Sequence, residues 1–239
     1  MPDRLFRPNP FPGDDGRITP RLAQAYRAAD NVRTEQIVAA LGRVLVPVIP
    51  HEPPKRRDRA SIHDEQGADP YGCPDEELVT VDFPGGRKGL PIFSSVDALR
   101  EWHGTARPVP LDIATVAAAA MQRADGVLTL DEGCANMTWL GRSAVAALAS
   151  GTAWHGPWSD PQITKRLTRG CSELPGLESI EIVPGASGAA VVVIHLDATA
   201  NRDDAHNIVH TVAAIIATDS YVRARLDVVE IQPARARVG

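Results

Sequence analysis

The segment Gly89-Leu-Pro-Ile-Phe-Ser-Ser-Val-Asp-Ala-Leu-Arg-Glu-Trp102 changes its hydrophobic pattern part-way along. Leu90, Ile92 and Phe93 form a β-prone apolar run, and Val96, Leu99 and Trp102 then fall on one helical face. Ser94, with Asp97 three residues later, has the spacing of a capping box, so a short buried strand is predicted to run through a serine cap into an amphipathic helix. So tight a junction predicts that Leu90, Ile92, Phe93, Leu99 and Trp102 are buried together.

The same reading predicts the other elements. Leu22, Ala25 and Tyr26, followed by Ile37, Leu41 and their neighbours, read as one or two amphipathic helices, and the run from Arg43 to Pro50 as a strand that Pro47 confines to an edge or a bulge. Leu78 to Phe83 and Leu90 to Phe93 flank Pro84-Gly-Gly-Arg-Lys-Gly89 as a hairpin, with Gly85 and Gly86 supplying positive φ. Helices are expected at Asp112 to Ala124 and at Leu140 to Ala149, the second ending at Gly151, with a strand at Val127 to Leu130 between them. Beyond Asp160 come a helix at Gln162 to Arg169, strands at Ser179 to Val183 and Ala190 to Leu196, a helix at Asp203 to Ala217 and a strand at Val228 to Gln232.

This order predicts an α/β (α+β) protein: a mixed-sheet N-terminal domain flanked by helices, then a smaller ββαβ unit. The expected organisation is a flexible arm over 1–18, an α/β domain over 19–152, a linker and helix over 153–177, and the ββαβ domain over 178–239. Residues 51–76 carry Lys55-Arg-Arg-Asp-Arg59 and almost no apolar side chains, which marks a poorly ordered surface insertion.

Composition narrows the function classes. The chain has 239 residues and a net charge of −5, which disfavours a general nucleic-acid coat. Three separated cysteines, Cys73, Cys134 and Cys171, without a C-x-x-C pair fit reduced thiols in a cytoplasm. The N-terminus lacks the apolar stretch of a signal peptide and no run is long enough to span a membrane, so neither export nor membrane insertion is expected.

Candidate chemistry is sparse. There is no P-loop and no G-x-G-x-x-G after a predicted strand. Arg87 and Lys88 in the glycine-rich turn can form an anion nest, against the simpler reading of an exposed hairpin turn. His206 and His210 share a helical face, yet His206-Asn-Ile-Val-His210 lacks the glutamate of H-E-x-x-H and a third ligand, so core-edge histidines are preferred to a metal site. His195 reads as half-buried and hydrogen-bonded within a strand, and His51, His63 and Cys73 match no zinc spacing. Cys134 follows Gly133 near an expected helix start, where the dipole would favour a thiolate, but without an adjacent base a packing residue is the better reading. The arginines at 56–59, Arg223, Arg225, Arg235 and Arg237 read as solvated surface.

The segments Val44-Leu-Val-Pro-Val-Ile49, Leu90-Pro-Ile-Phe-Ser-Ser95 with Asp97-Ala-Leu-Arg-Glu-Trp102, and Gly126-Val-Leu-Thr-Leu-Asp131 before a helix at Gly141 to Ala149 resemble the SseB-type (enhanced serine sensitivity) bacterial family, in its N-terminal domain. The resemblance covers about residues 35 to 152, and the ββαβ tail is similar to the C-terminal portion of family members. Where the family often has a Pro-Gly turn after the third of these strands, this chain has Asp131-Glu-Gly133. The resemblance implies no catalytic residues, and the residues themselves call for neither a cofactor nor a metal.

The expectation is a cytoplasmic, non-catalytic protein-binding or regulatory module whose partner is another protein. Trp154 and Trp158, two large aromatics in the linker of an aromatic-poor chain, are the candidate partner-binding residues, with packing between the domains as their simpler role. The alternatives are an RNA- or ribosome-associated factor using the arginine clusters, and a metal- or thiol-dependent hydrolase.

Overall fold

A computed structural model describes residues 11–49 and 79–235. The expected 51–76 insertion, with His51, His63 and Cys73, lies outside the described residues, as do Met1 to Pro10 and Arg237.

The chain opens with helices α1 (Pro20–Tyr26) and α2 (Asp30–Ala40), then strand β1 (Arg43–Val48). Hairpin strands β2 (Val81–Phe83) and β3 (Arg87–Ile92) turn through Gly85 at φ 81° and Gly86 at φ 74°, angles that favour glycine. Helix α3 (Val96–Trp102), strand β4 (Arg107–Asp112) and helix α4 (Ile113–Arg123) lead to β5 (Leu128–Leu130), β6 (Thr138–Leu140) and α5 (Arg142–Ser150), whose left-handed C-cap is Gly151.

β3 and β5 are parallel neighbours in a four-stranded sheet of order β2-β3-β5-β6, with antiparallel pairs at either side. β1 pairs with β4, and one bridge between Leu45 and Phe93 joins that ribbon to the end of β3. The sheet is thus mixed, as expected, and Pro47 sits in a ribbon facing Pro108, where a missing N–H is tolerated. Helices α1, α2, α4 and α5 cover the sheet, burying Leu22, Ile37, Val116 and Val145 against Leu90, Ile92, Leu128 and Leu130.

Beyond a short 3-10 turn (Pro157–Ser159) come α6 (Pro161–Gly170), β7 (Leu177–Pro184), β8 (Ala190–Leu196), α7 (Arg202–Thr218), α8 (Ser220–Arg225) and β9 (Val229–Arg235). β8 lies between an antiparallel β7 and a parallel β9, so the unit is ββαβ. A second core forms from Ile163 and Leu167 of α6, Ile180, Ile182, Val192 and Ile194 of the sheet, and Ile208 and Val212 of α7.

Three expectations are corrected. Residues 11–18, assigned to a flexible arm, are tied down: Asp14 pairs with Arg43 at 2.8 Å with both side chains nearly buried, and Gly16 O accepts from Val96 N. A composition rich in Pro, Gly and Asp points to mobility here, but the Asp14–Arg43 pair and the Gly16–Val96 bond fasten the segment to β1 and α3. The α3 cap is Ser95, whose hydroxyl accepts from Ala98 N, while Ser94 turns inward. The five apolar residues of the strand-to-helix segment divide between two clusters, because successive strand residues face opposite sides of a sheet. Leu90 and Ile92 join the main core, whereas Phe93 packs with Leu45, Leu99 and the half-buried Trp102.

Candidate functional site

The seam between the two cores is built by the 152–161 connection. Trp154 packs on the first core and Trp158 on the second, and their rings meet edge to face with centroids 5.9 Å apart. Such a pair favours a positive ring edge against a negative face. Trp154 Nε1 donates to Ser143 Oγ of α5 at 3.2 Å, and Trp158 lies over Gly156, where a Cβ would meet its ring at 2.2 Å. From α2, Glu35 Oε1 accepts from Gly156 N and Ser159 Oγ and pins the connection to the first core.

On the other side of the seam Asp160 caps α6 through Gln162 N and accepts from Tyr221 OH at 2.8 Å, while Arg225 reaches the same carboxylate at 3.2 Å. Tyr221 is held between the guanidiniums of Arg166 and Arg225, 4.7 and 3.7 Å from its ring centre, and the hydrogen bond to Asp160 raises its pKa. Asp219 accepts from the first backbone N–H groups of α8 and pairs with Arg166, and the Val222 N–H above all, then the Arg166 guanidinium, holds its carboxyl below the usual range.

Two clefts flank the tryptophan pair. One, of about 720 Å³, lies between α5, the connection and α8, with Ser143, Trp154, His155, Asp160 and Arg225 on its walls. The other, of about 880 Å³, lies between α6 and β7, with Trp158, Lys165, Arg169, Ile180 and Ile182 on its walls. Ser159 and Pro161 line both. Both tryptophans are half-buried, so part of each ring faces solvent while the rest joins the cores. The structure brings together the two candidate partner-binding residues, and it gives them the packing role.

A polar cluster that the local pattern did not expose sits where the parallel strands β3 and β5 end. Asp131 is buried at φ 53°, a conformation uncommon outside glycine, and it accepts from Ser94 N, Ser94 Oγ and Tyr26 OH at 2.7, 2.7 and 2.6 Å. Burial, then the Asp131 carboxylate, drives the Tyr26 pKa well above the ordinary phenol value. The available signal was an aspartate directly after a buried strand, since a carboxylate there needs donors. All the donors come from the chain itself, so the cluster ties α1, β3 and β5 together.

The remaining candidates disperse. Cys134 lies in a turn, with no helix start beside it. Its Sγ faces the carbonyls of Ala98 and Glu132 at 3.6 and 3.8 Å, and burial followed by the charges of Glu101 and Asp131 pushes the thiol up to about 11, opposite to the helix-dipole expectation. His206 and His210 are exposed with ring centres 6.2 Å apart, and among the described residues no group of three His, Cys, Asp or Glu is placed to hold a metal. His195 lies 3.5 Å from Glu181 across the β7–β8 pair. Arg87 and Lys88, considered for an anion nest, are engaged by Asp227 and Asp82.

Among the described residues no helix is long and apolar enough to cross a membrane. No curated protein matches the chain. Among solved structures, the nickel form of a variant MamM CTD aligns over 33% of this chain and 100% of that one, at 16% identity and a TM-score of 0.25, which carries no argument. The family model described as SseB protein N-terminal domain matches residues 21–147, from α1 to within α5 and more than half of the 239 residues. The chain belongs to the SseB family.

Proposed function

We propose that this SseB-family protein is a bacterial, cytoplasmic binding or regulatory module without catalysis, and that its partner, another protein, docks over the seam marked by Trp154 and Trp158. The observation that carries the reading is the half-buried, edge-to-face tryptophan pair with a cleft on either side. Large aromatics in partly desolvated sites recur as interface anchors, and these two are already held by Ser143 and by both cores, so little ordering cost remains on binding. Cys134 does not favour the thiol-hydrolase alternative, because a thiol that ionises near 11 is almost wholly protonated at neutral pH.

The test is capture of the partner by the tagged full chain from its native cell, followed by hydrogen exchange of the free and bound chain. Protection concentrated in residues 143–161 and 164–182 is the expected result. Protection confined to other segments overturns the placement, and failure to retain any partner overturns the module.

A further inference from the structure

We propose that the groove beside Trp158 takes an extended acidic peptide, which adds to the unpaired edge of β7 as a fourth strand. This rests on the binding-module reading and names the chemistry of its partner.

β7 is an edge, since the sheet order is β7-β8-β9. The phase of its pairing follows from Gly185 N, which donates to Ala189 O at 2.7 Å just past the strand. In an antiparallel pair alternate residues bond inward, so Val183, Glu181 and Ser179 bond to β8, and the N–H and C=O groups of Ile180 and Ile182 point away from it. No other backbone bond among the described residues uses them. Ile180 and Ile182 are also the β7 residues whose side chains face the second core and line the groove. An unpaired strand edge is a template for an added strand, here reached through the groove, because Ile180 and Ile182 are only 5% and 6% exposed and α2 and the 3-10 turn lie against β7.

The groove's other wall sets the charge of the occupant. Lys165 and Arg169 stand four apart on α6, hence on one face, both exposed and neither paired with a carboxylate among the described residues. Thr164 and Thr168 repeat that spacing. Trp158 Nε1 is a buried donor with no acceptor. The acid on the groove's lining, Glu181, alternates to the opposite face of the sheet, where it meets His195 at 3.5 Å. Two cations thus face the groove while its one carboxylate is turned to the other face, which suits a strand carrying carboxylates toward α6 and apolar side chains toward the core.

The experiment uses the full chain and fluorescein-labelled eight-residue peptides that alternate glutamate and valine in both phases, read by fluorescence anisotropy. Binding with Kd below about 1 mM is expected, weakened at least about tenfold by Lys165→Glu with Arg169→Glu, a pair of exposed substitutions whose unchanged melting curve confirms folding. N-methylation of alternate peptide nitrogens, which leaves the charge intact, is expected to abolish binding in one phase. Equal binding of both N-methylated phases overturns strand addition, as does equal binding of lysine-valine peptides or displacement by an eight-nucleotide oligouridylate. If no peptide binds while a captured partner still protects 143–161 and 164–182, the acidic-strand proposal falls and the module reading stands; if neither is seen, both fall.

Discussion

Arg87 and Asp227, far apart in the chain, meet with Nη1 and Oδ1 2.5 Å apart. The same aspartate does more than pair. Its Oδ2 accepts from Arg142 N, the first N–H of α5, which has no cap of its own because Gly141 precedes it. Its carbonyl accepts from Arg87 Nη2 at 3.0 Å. Asp227, two residues before β9, thus anchors the β2–β3 hairpin and the start of α5, and it joins the two cores beside Trp154, with which it lines a small cavity.

Asp227→Ala is expected to cost about 2–3 kcal/mol, because it leaves a partly buried guanidinium and a helix N-terminus without their acceptor. Urea denaturation of the full chain measures it. In a double-mutant cycle with Arg87→Met the double variant should cost less than the sum of the two single ones, and strict additivity would mean that the pair adds nothing to stability.

Gly188 is the second fastening. It has φ 83°, a Cβ there would lie 2.6 Å from Trp139 O, and the neighbouring Ser187 O accepts from Trp139 N at 2.9 Å. The β7–β8 turn therefore covers the outer edge of β6. Gly188→Ala is expected to lower stability by about 2 kcal/mol or more, through both the backbone conformation and the lost approach. Exchange of the Trp139 amide should accelerate more than that of Ile194 in the middle of β8; equal acceleration would deny a local role.

Phe93→Ala is expected to cost about 3–5 kcal/mol, since Phe93 is fully buried between Leu45, Leu99 and Trp102. Near-UV circular dichroism should also lose the Trp102 signal that its tilted contact with Phe93 supports, the ring centres being 5.2 Å apart. A small loss of stability with an unaltered signal would show that this satellite cluster does not hold α3.

Residues 84–102 show how much was legible from sequence. The strand, the turn and the helix were visible because apolar spacing, Gly85-Gly86 and a serine all act locally. The choice between Ser94 and Ser95 was not, because Ser94 is drawn inward by Asp131, which follows another strand, β5. β4 was missed because Pro108 and Pro110 break a strand pattern, and only pairing with β1 reveals it. β6 has three residues, too few for a period, and its outer edge is completed by the later β7–β8 turn. The two tryptophans could be named from scarcity alone, but which core each joins depends on the tertiary seam.

The Tyr26 pKa is raised in the folded state above an unfolded value of about 10. The neutral phenol is the form that donates to Asp131, so its contribution is fully present below pH ~10 and is lost as the pH climbs beyond that toward the folded value. Melting temperature should therefore fall more steeply above pH ~10 in the parent than in Tyr26→Phe, whose ring cannot ionise. Parallel slopes would show that Tyr26 ionises as freely folded as unfolded.

Cys134 offers a test in the same pH range with a different readout. A thiol raised to about 11 is a poor nucleophile at neutral pH, because the thiolate is the reacting form. Iodoacetamide labelling of the native chain, quantified at the Cys134 peptide by mass spectrometry, should follow a titration with its midpoint near 11. The unfolded chain should label with a midpoint near the free-cysteine value of about 8.5. Glu101→Gln removes one of the charges that oppose ionisation and should shift the native midpoint downward, whereas burial, the larger cause, keeps it above the unfolded value. A native midpoint at or below that of the unfolded chain would reverse the assignment and return Cys134 to the class of activated thiols.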